Sequence, residues 1–152
     1  MSGKKETILV AGDNADDLTK LAIHLQAEKF KVLPIKYQES IMTLARSELP
    51  DLILLDFKSC FDICRMLKRN FITEPIPIVA LLLPADEVDR VAALELGADD
   101  CLAKPISYRE LTLRIRCSLN RARDKQGKAR YKQSQYYSFL TRRPSFSTPV
   151  DG

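Results

Sequence analysis

Residues 51–60 read DLILLDFKSC. Four apolar residues, Leu52 to Leu55, run directly into a single carboxylate, Asp56. A continuous apolar run of this length, rather than an alternating one, is the pattern of a strand covered on both faces, as in a parallel sheet. A charge at the end of such a strand is costly unless it meets a partner or does chemistry.

Other runs of the same kind flank it. TILVA (7–11) and KVLPI (31–35) precede it, and IPIVALL (76–82) and DCLA (100–103) follow. Pro34 lacks an amide hydrogen and places the second run at a sheet edge. Helical spacing fills the intervals. Asn14 is suited to cap a helix whose inward positions are Leu18, Leu21, Ala22 and Leu25. Ile41, Leu44 and Ala45 mark a second helix that ends before Pro50. Ile63, Met66 and Leu67 are expected inward on a third, over Phe61 to Arg69. Val88, Val91, Ala92 and Leu96 mark a fourth, stopped by Gly97. Ser107 and Glu110 form a capping box for a fifth, with Leu111, Ile115 and Leu119 inward. Five strands alternating with five helices, joined by right-handed crossovers, predict an α/β fold: a doubly wound, five-stranded parallel sheet with helices on both faces. The flavodoxin-like order 2-1-3-4-5 is taken for it, which makes the first and third strands neighbours. Ligands of such sheets sit beyond the carboxyl ends of the strands, where the strand order reverses.

Asp13, Asp56 and Lys104 fall at the carboxyl ends of the first, third and fifth strands. Two carboxylates and an ammonium there suit a hard cation and a phosphoryl group. An aspartate in that setting can act as a nucleophile. The plainer reading is an ion pair of Asp56 and Lys104 closing the sheet edge.

Composition narrows the alternatives. No apolar run approaches the roughly 20 residues that span a bilayer, and MSGKKET does not resemble a signal peptide. A cytoplasmic protein with no membrane partner is expected. Cys60, Cys64, Cys101 and Cys117 lack zinc-ligand spacing and are read as reduced, mostly buried thiols. His24, the only histidine, is read as a solvated helix residue. Eight of the 24 basic residues but only two of the 20 acidic ones lie in 121–152, so the tail carries +6 and the remainder −2.

ILVAGDNADD, PDLILLD, IPIVALL, LELGADDCLAKP and RELTLRIR, in this order, resemble the receiver domain of bacterial two-component response regulators, over roughly residues 7–121. The resemblance implies that Asp56 accepts a phosphoryl group from a sensor histidine kinase. It implies that Asp13 and Asp56 ligate Mg²⁺ with the backbone carbonyl of Lys58, that Lys104 contacts the phosphoryl oxygens, and that Lys104–Pro105 is cis. It further implies a homodimer through the fourth helix, fifth strand and fifth helix, with Arg90, Asp99, Asp100, Glu110, Arg114 and Arg121 on that face. An i, i+4 surface pair such as Glu110–Arg114 is the plainer account of part of that set.

The chain departs from the family pattern at four places. Gly12 stands where the family has the first of two acids, which weakens the expected Mg²⁺ site. Leu82 replaces the hydroxyl residue after the fourth strand, and Cys101 replaces the aromatic switch residue of the fifth. The loop after Asp56 is short, which bears on Lys58. The chain therefore reads as an atypical receiver, with a phosphorylation-independent interaction or dimerisation module as the alternative. An enzyme on the same sheet, a flavin binder or Mg²⁺ phosphatase, is disfavoured. GDNADD (12–17) is acidic rather than phosphate-binding, and Lys58 occupies the place of a second catalytic acid.

Two regions are expected: a receiver over 1–121, and a basic helical extension with a polar, disordered tail over 122–152. The stretch YYSFLTRRPSFSTPVDG (136–152) is expected to be disordered. Basic and aromatic residues interleave in the tail, but a solvated linker is preferred to a nucleic-acid contact. The output domain or partner is not named by the sequence. The chain reads as a stand-alone regulator or as a piece of a longer one.

Overall fold

The run around Asp56 forms the central strand of the sheet. In the computed structural model, which describes residues 5–57, 61–82 and 87–141, the strands are β1 (Thr7–Gly12), β2 (Lys31–Ile35), β3 (Leu52–Asp56), β4 (Ile78–Leu82) and β5 (Asp100–Ala103). All pair in parallel, in the order β2-β1-β3-β4-β5. The predicted order holds, and Pro34 lies in the edge strand β2. The helices are α1 (Ala15–Ala27), α2 (Ile41–Glu48), α3 (Phe61–Arg69), α4 (Glu87–Glu95) and α5 (Tyr108–Thr141), with a 3₁₀ turn at Gln38–Ser40.

Every residue of β3 is buried, because its successive side chains feed two separate core layers. Ile53 and Leu55 join a cluster with Ile41 and Ala45 of α2, Ile63 and Leu67 of α3, and Ala93 of α4. Leu52 and Leu54 join one with Leu18, Leu21 and Leu25 of α1 and Leu111, Ile115 and Leu119 of α5. The pairing of β1 with β3 sets Gly12 opposite Asp56. The carboxyl ends of these two strands thus meet where the chain reverses direction across the sheet.

Local chemistry fixes the helix starts beside that edge. The Asn14 side chain accepts the Asp17 amide at 3.0 Å, which caps α1. The Glu110 amide donates to Ser107 Oγ at 3.2 Å at the start of α5.

Several expectations are corrected. Met66 is 52% exposed and Val91 49% exposed. The inward arc of α3 is Ile63, Cys64 and Leu67, and Met66 falls outside it. On α4 the buried contact is Ala93, one position beyond the expected Ala92, and Val88 lies outside the described side chains. His24 is not simply solvated: it is half-buried against α5. The helix α5 runs to Thr141, so Tyr136–Thr141 is helical where disorder was expected. Residues 142–152 lie outside the described residues. The chain divides into the units Met1–Ala122 and Arg123–Gly152. No helix among the described residues is long and apolar enough to cross a membrane.

Gly97 ends α4 with φ +118°, and a Cβ there would come 2.3 Å from Lys68 Cγ. Lys68 is committed: its Nζ donates to the carbonyls of Glu74 and Ile76, both at 2.9 Å. A Gly97→Ala variant is therefore expected to lose about 2 kcal/mol in urea unfolding, from an unfavourable φ and a blocked neighbour. An unchanged midpoint would contradict this.

Candidate phosphoacceptor site

Asp56 sits at the last position of β3, its side chain only 4% exposed. Lys104 follows β5 directly, and its amide donates to the Leu82 carbonyl at 2.8 Å, which holds it level with the sheet edge. The Lys104–Pro105 peptide is cis, as the resemblance implied. Lys104 Nζ reaches Asp56 Oδ1 at 2.6 Å. It also lies 3.9 Å from Asp17 Oδ2, on the first turn of α1.

These groups share a cavity of about 240 Å³, walled by Asp17 and Lys20 of α1, Asp56, Lys104, Pro105 and Tyr108. Burial raises the Asp56 carboxyl above its ordinary range, since a buried carboxylate loses its hydration. The Lys104 hydrogen bond and charge oppose the rise, while the carboxylates of Asp17 and Asp13 add to it. Lys104 is the ammonium paired with Asp56, and Lys20 adds a second one to the cavity wall.

The exposed Asp13 lies between Gly12 and the α1 cap. Among the described residues, no three acidic, cysteine or histidine side chains converge as a metal cage. Mg²⁺ keeps several waters and takes one or two carboxylates; Asp56 is in the cavity wall, while Asp13 is not part of that wall and is felt at Asp56 through its charge. Lys58, expected to lend a carbonyl, lies outside the described residues, as does Cys60.

Leu82 and Cys101 are both buried in the cluster with Ala93 and Ala98. Cys101 Sγ lies 4.0 Å from the Arg90 carbonyl.

The charged set of the fourth helix, fifth strand and fifth helix is only partly brought together. Arg114 pairs with Asp100 at 3.2 Å and with Glu110 at 3.4 Å, and Asp100 raises its pKa further. Asp99 belongs to another cluster: it accepts the Ile78 amide at 2.7 Å and pairs with Lys68 at 3.6 Å. Arg121 donates to Ser118 Oγ at 3.2 Å, and Arg90 is exposed.

Sequence reasoning missed Asp17, Lys20 and Tyr108 in the cavity wall. A signal was present. Asp17, Lys20 and His24 are spaced i, i+3, i+7 and form a stripe beside the inward Leu18, Leu21 and Leu25.

Comparison with known proteins identifies the family. Residues 8–116 match the response regulator receiver domain family. The chain is 35% identical over 125 residues to the phosphate regulon transcriptional regulatory protein PhoB of Pseudomonas aeruginosa, covering 80% of this chain and 54% of that protein. It is 37% identical over 128 residues to the DNA-binding response regulator MtrA of Mycobacterium tuberculosis, covering 82% and 55%. The chain therefore spans about half the length of these curated relatives. Its fold resembles the receiver domain of the sensor histidine kinase PA1611 of Pseudomonas aeruginosa, which has a magnesium ion in its active-site cleft. That likeness has a TM-score of 0.69 at 24% identity, over 77% of this chain and 99% of that one. From its sheet order, its Asp56–Lys104 edge and its sequence relatives, the chain belongs to the response regulator receiver domain family of two-component signalling.

Proposed function

We propose that Asp56 is the phosphoacceptor and that a sensor histidine kinase is its donor. The supporting observation is the buried Asp56 carboxylate held by Lys104 at 2.6 Å in an open cavity at the strand ends. An Asp56 oxygen attacks the phosphorus of a phosphohistidine. The new P–O bond forms as the P–N bond breaks, and the imidazole leaves. Lys104 is then placed to move from the carboxylate to the phosphoryl oxygens. Asp13 and Asp56 would hold Mg²⁺, which when bound neutralises charge on the transferring group. The protein is read as a cytoplasmic signalling acceptor rather than an enzyme acting on a free substrate.

Leu82 and Cys101 bear on the output. With no hydroxyl at 82 to contact the phosphoryl group, movement of α4 lacks its usual trigger. A state change needs differential contacts in the two states. The module that acts without phosphate is nevertheless the weaker reading, because family membership and the Asp56–Lys104 cavity both support acceptance. A homodimer through α4, β5 and α5, with Arg90, Asp100, Glu110, Arg114 and Arg121 at its face, is proposed at the level of surface chemistry. So is an output partner or domain reached through the basic extension, with the receiver itself making no nucleic-acid contact.

The test is Mg²⁺-dependent acyl phosphate formation on the full chain. Chelation is expected to abolish it, and labelling that persists in chelator would overturn the metal assignment. Restoring the family acid with Gly12→Asp is expected to lower the Mg²⁺ half-saturation roughly tenfold, one further carboxylate being available to the ion. A Cβ there would lie 3.0 Å from the Asp56 carbonyl oxygen, so the same variant should lose about 1 kcal/mol of stability. Mg²⁺ affinity that does not improve would place the ion elsewhere.

A further inference from the structure

We propose that Tyr108 is the water-excluding wall of the acceptor cavity and that His24 is the positioning residue that holds it there. This rests on Asp56 being the acceptor. Tyr108 lines the same cavity as Asp56 and Lys104. It remains 38% exposed, so burial alone does not lock its ring. What restrains it is α1. The His24 ring stacks on Tyr108, with centroids 4.8 Å apart and planes inclined by 21°. His24 Nε2 in turn lies 2.7 Å from Oγ1 of the buried Thr112. Thr112 is one helical turn beyond Tyr108, so a single imidazole spans two consecutive turns of α5. The only histidine of the chain thus ties α1 to α5 at the rim of the cavity.

The consequence falls on one step. An acyl phosphate is lost when water attacks the phosphorus: the P–O bond to Asp56 breaks, inorganic phosphate leaves, and the carboxylate returns. That attack needs a water in line behind the phosphorus. An aromatic wall held in place denies water part of the approach, and a released one admits it. His24 therefore sets the lifetime of the phosphorylated state and not the rate at which it forms.

The experiment uses the full chain, phosphorylated with acetyl phosphate and Mg²⁺, then freed of donor. Decay is followed by release of inorganic phosphate. Tyr108→Ala and His24→Ala are expected to decay roughly fivefold faster than wild type, through loss of water exclusion. The rate of formation and the Mg²⁺ half-saturation of His24→Ala should not change, because His24 lies outside the cavity wall. Tyr108→Phe and His24→Phe keep the stacked rings and should return most of the lifetime. Thermal melts of each variant separate this role from a structural one, which would lower stability and shift formation and decay together. Decay of His24→Ala at the wild-type rate overturns the proposal alone, as does failure of both Phe variants to restore it. A wild-type chain that takes up no phosphoryl group overturns the acceptor reading, and this proposal with it.

Discussion

An Asp56→Asn chain, offered phosphodonor and Mg²⁺, is expected to show background labelling only, and without Mg²⁺ to unfold at a higher temperature than wild type. The first result follows from the chemistry. An amide oxygen is a poor nucleophile, and no other carboxylate in the cavity combines burial with a 2.6 Å contact to Lys104. Labelling retained in the variant would move the acceptor to another residue, with Asp17 the first to test.

The second result follows from linkage. Burial raises the Asp56 carboxyl above its ordinary value of 3.8, with Asp17 and Asp13 adding to the rise. An acid whose folded pKa is raised holds its proton in the native state after the unfolded state has lost it. Its contribution is present below the ordinary value and is lost as pH rises through the folded one. At neutral pH the wild type therefore carries an ionisation that burial disfavours, and asparagine removes it. The gain should be about 1 kcal/mol, or roughly 4 °C for a domain of this size. It should shrink towards acid pH, where Asp56 is protonated in both states. A lower melting temperature at neutral pH would mean that the Lys104 pair contributes more than burial costs.

Lys104→Met is expected to have the opposite effect on stability and to slow phosphoryl transfer. Methionine keeps the length of the stem but removes the only cation within contact of Asp56 in the described structure. Removing one partner of a buried pair leaves the other uncompensated. Lys104 retains some exposure, so the expected cost is about 2–3 kcal/mol near pH 8, at or below the range for a fully buried pair. The sign of the pH dependence follows the same linkage. Without Lys104 the Asp56 pKa rises further, which widens the range over which stability falls with rising pH. The variant should recover much of its loss as the pH is lowered and Asp56 takes up a proton. In an Asp56→Asn background the same substitution should cost little, and the double-mutant cycle measures the coupling. A cost that does not fall with pH, or is unchanged in the Asn background, would show that Lys104 acts through packing and not through charge.

Much of the fold was legible because its determinants are local. Continuous apolar runs mark strands covered on both faces, and Asn14 and Ser107 announce two helix starts. Asp56 and Lys104 could be placed at one edge because a parallel sheet puts every strand's carboxyl end on the same side. Errors arose where periodicity was short. Met66 and Val91 sit on nine-residue helices, where one residue of rotation separates an inward from an outward position. The tail was misjudged at Tyr136–Thr141 because it was grouped with the polar, proline-containing residues after it, whereas the helix of the extension continues through it to Thr141.

The cavity wall belongs to the tertiary structure. Nothing in the sequence distance of 84 residues between His24 and Tyr108 tells that their rings stack. Nor could the sequence weigh Asp17 against Asp13 as a neighbour of Lys104, since that depends on the angle at which α1 leaves Asn14. By itself the sequence determined a parallel, doubly wound sheet, the edge that carries the chemistry and the two groups at its centre, because these follow from hydrophobic pattern and parallel pairing, whereas the strand order is fixed by pairing in the tertiary structure. Only the tertiary structure decided what surrounds Asp56, because a helix stripe becomes a wall only when packing across the sheet brings α1 and α5 together.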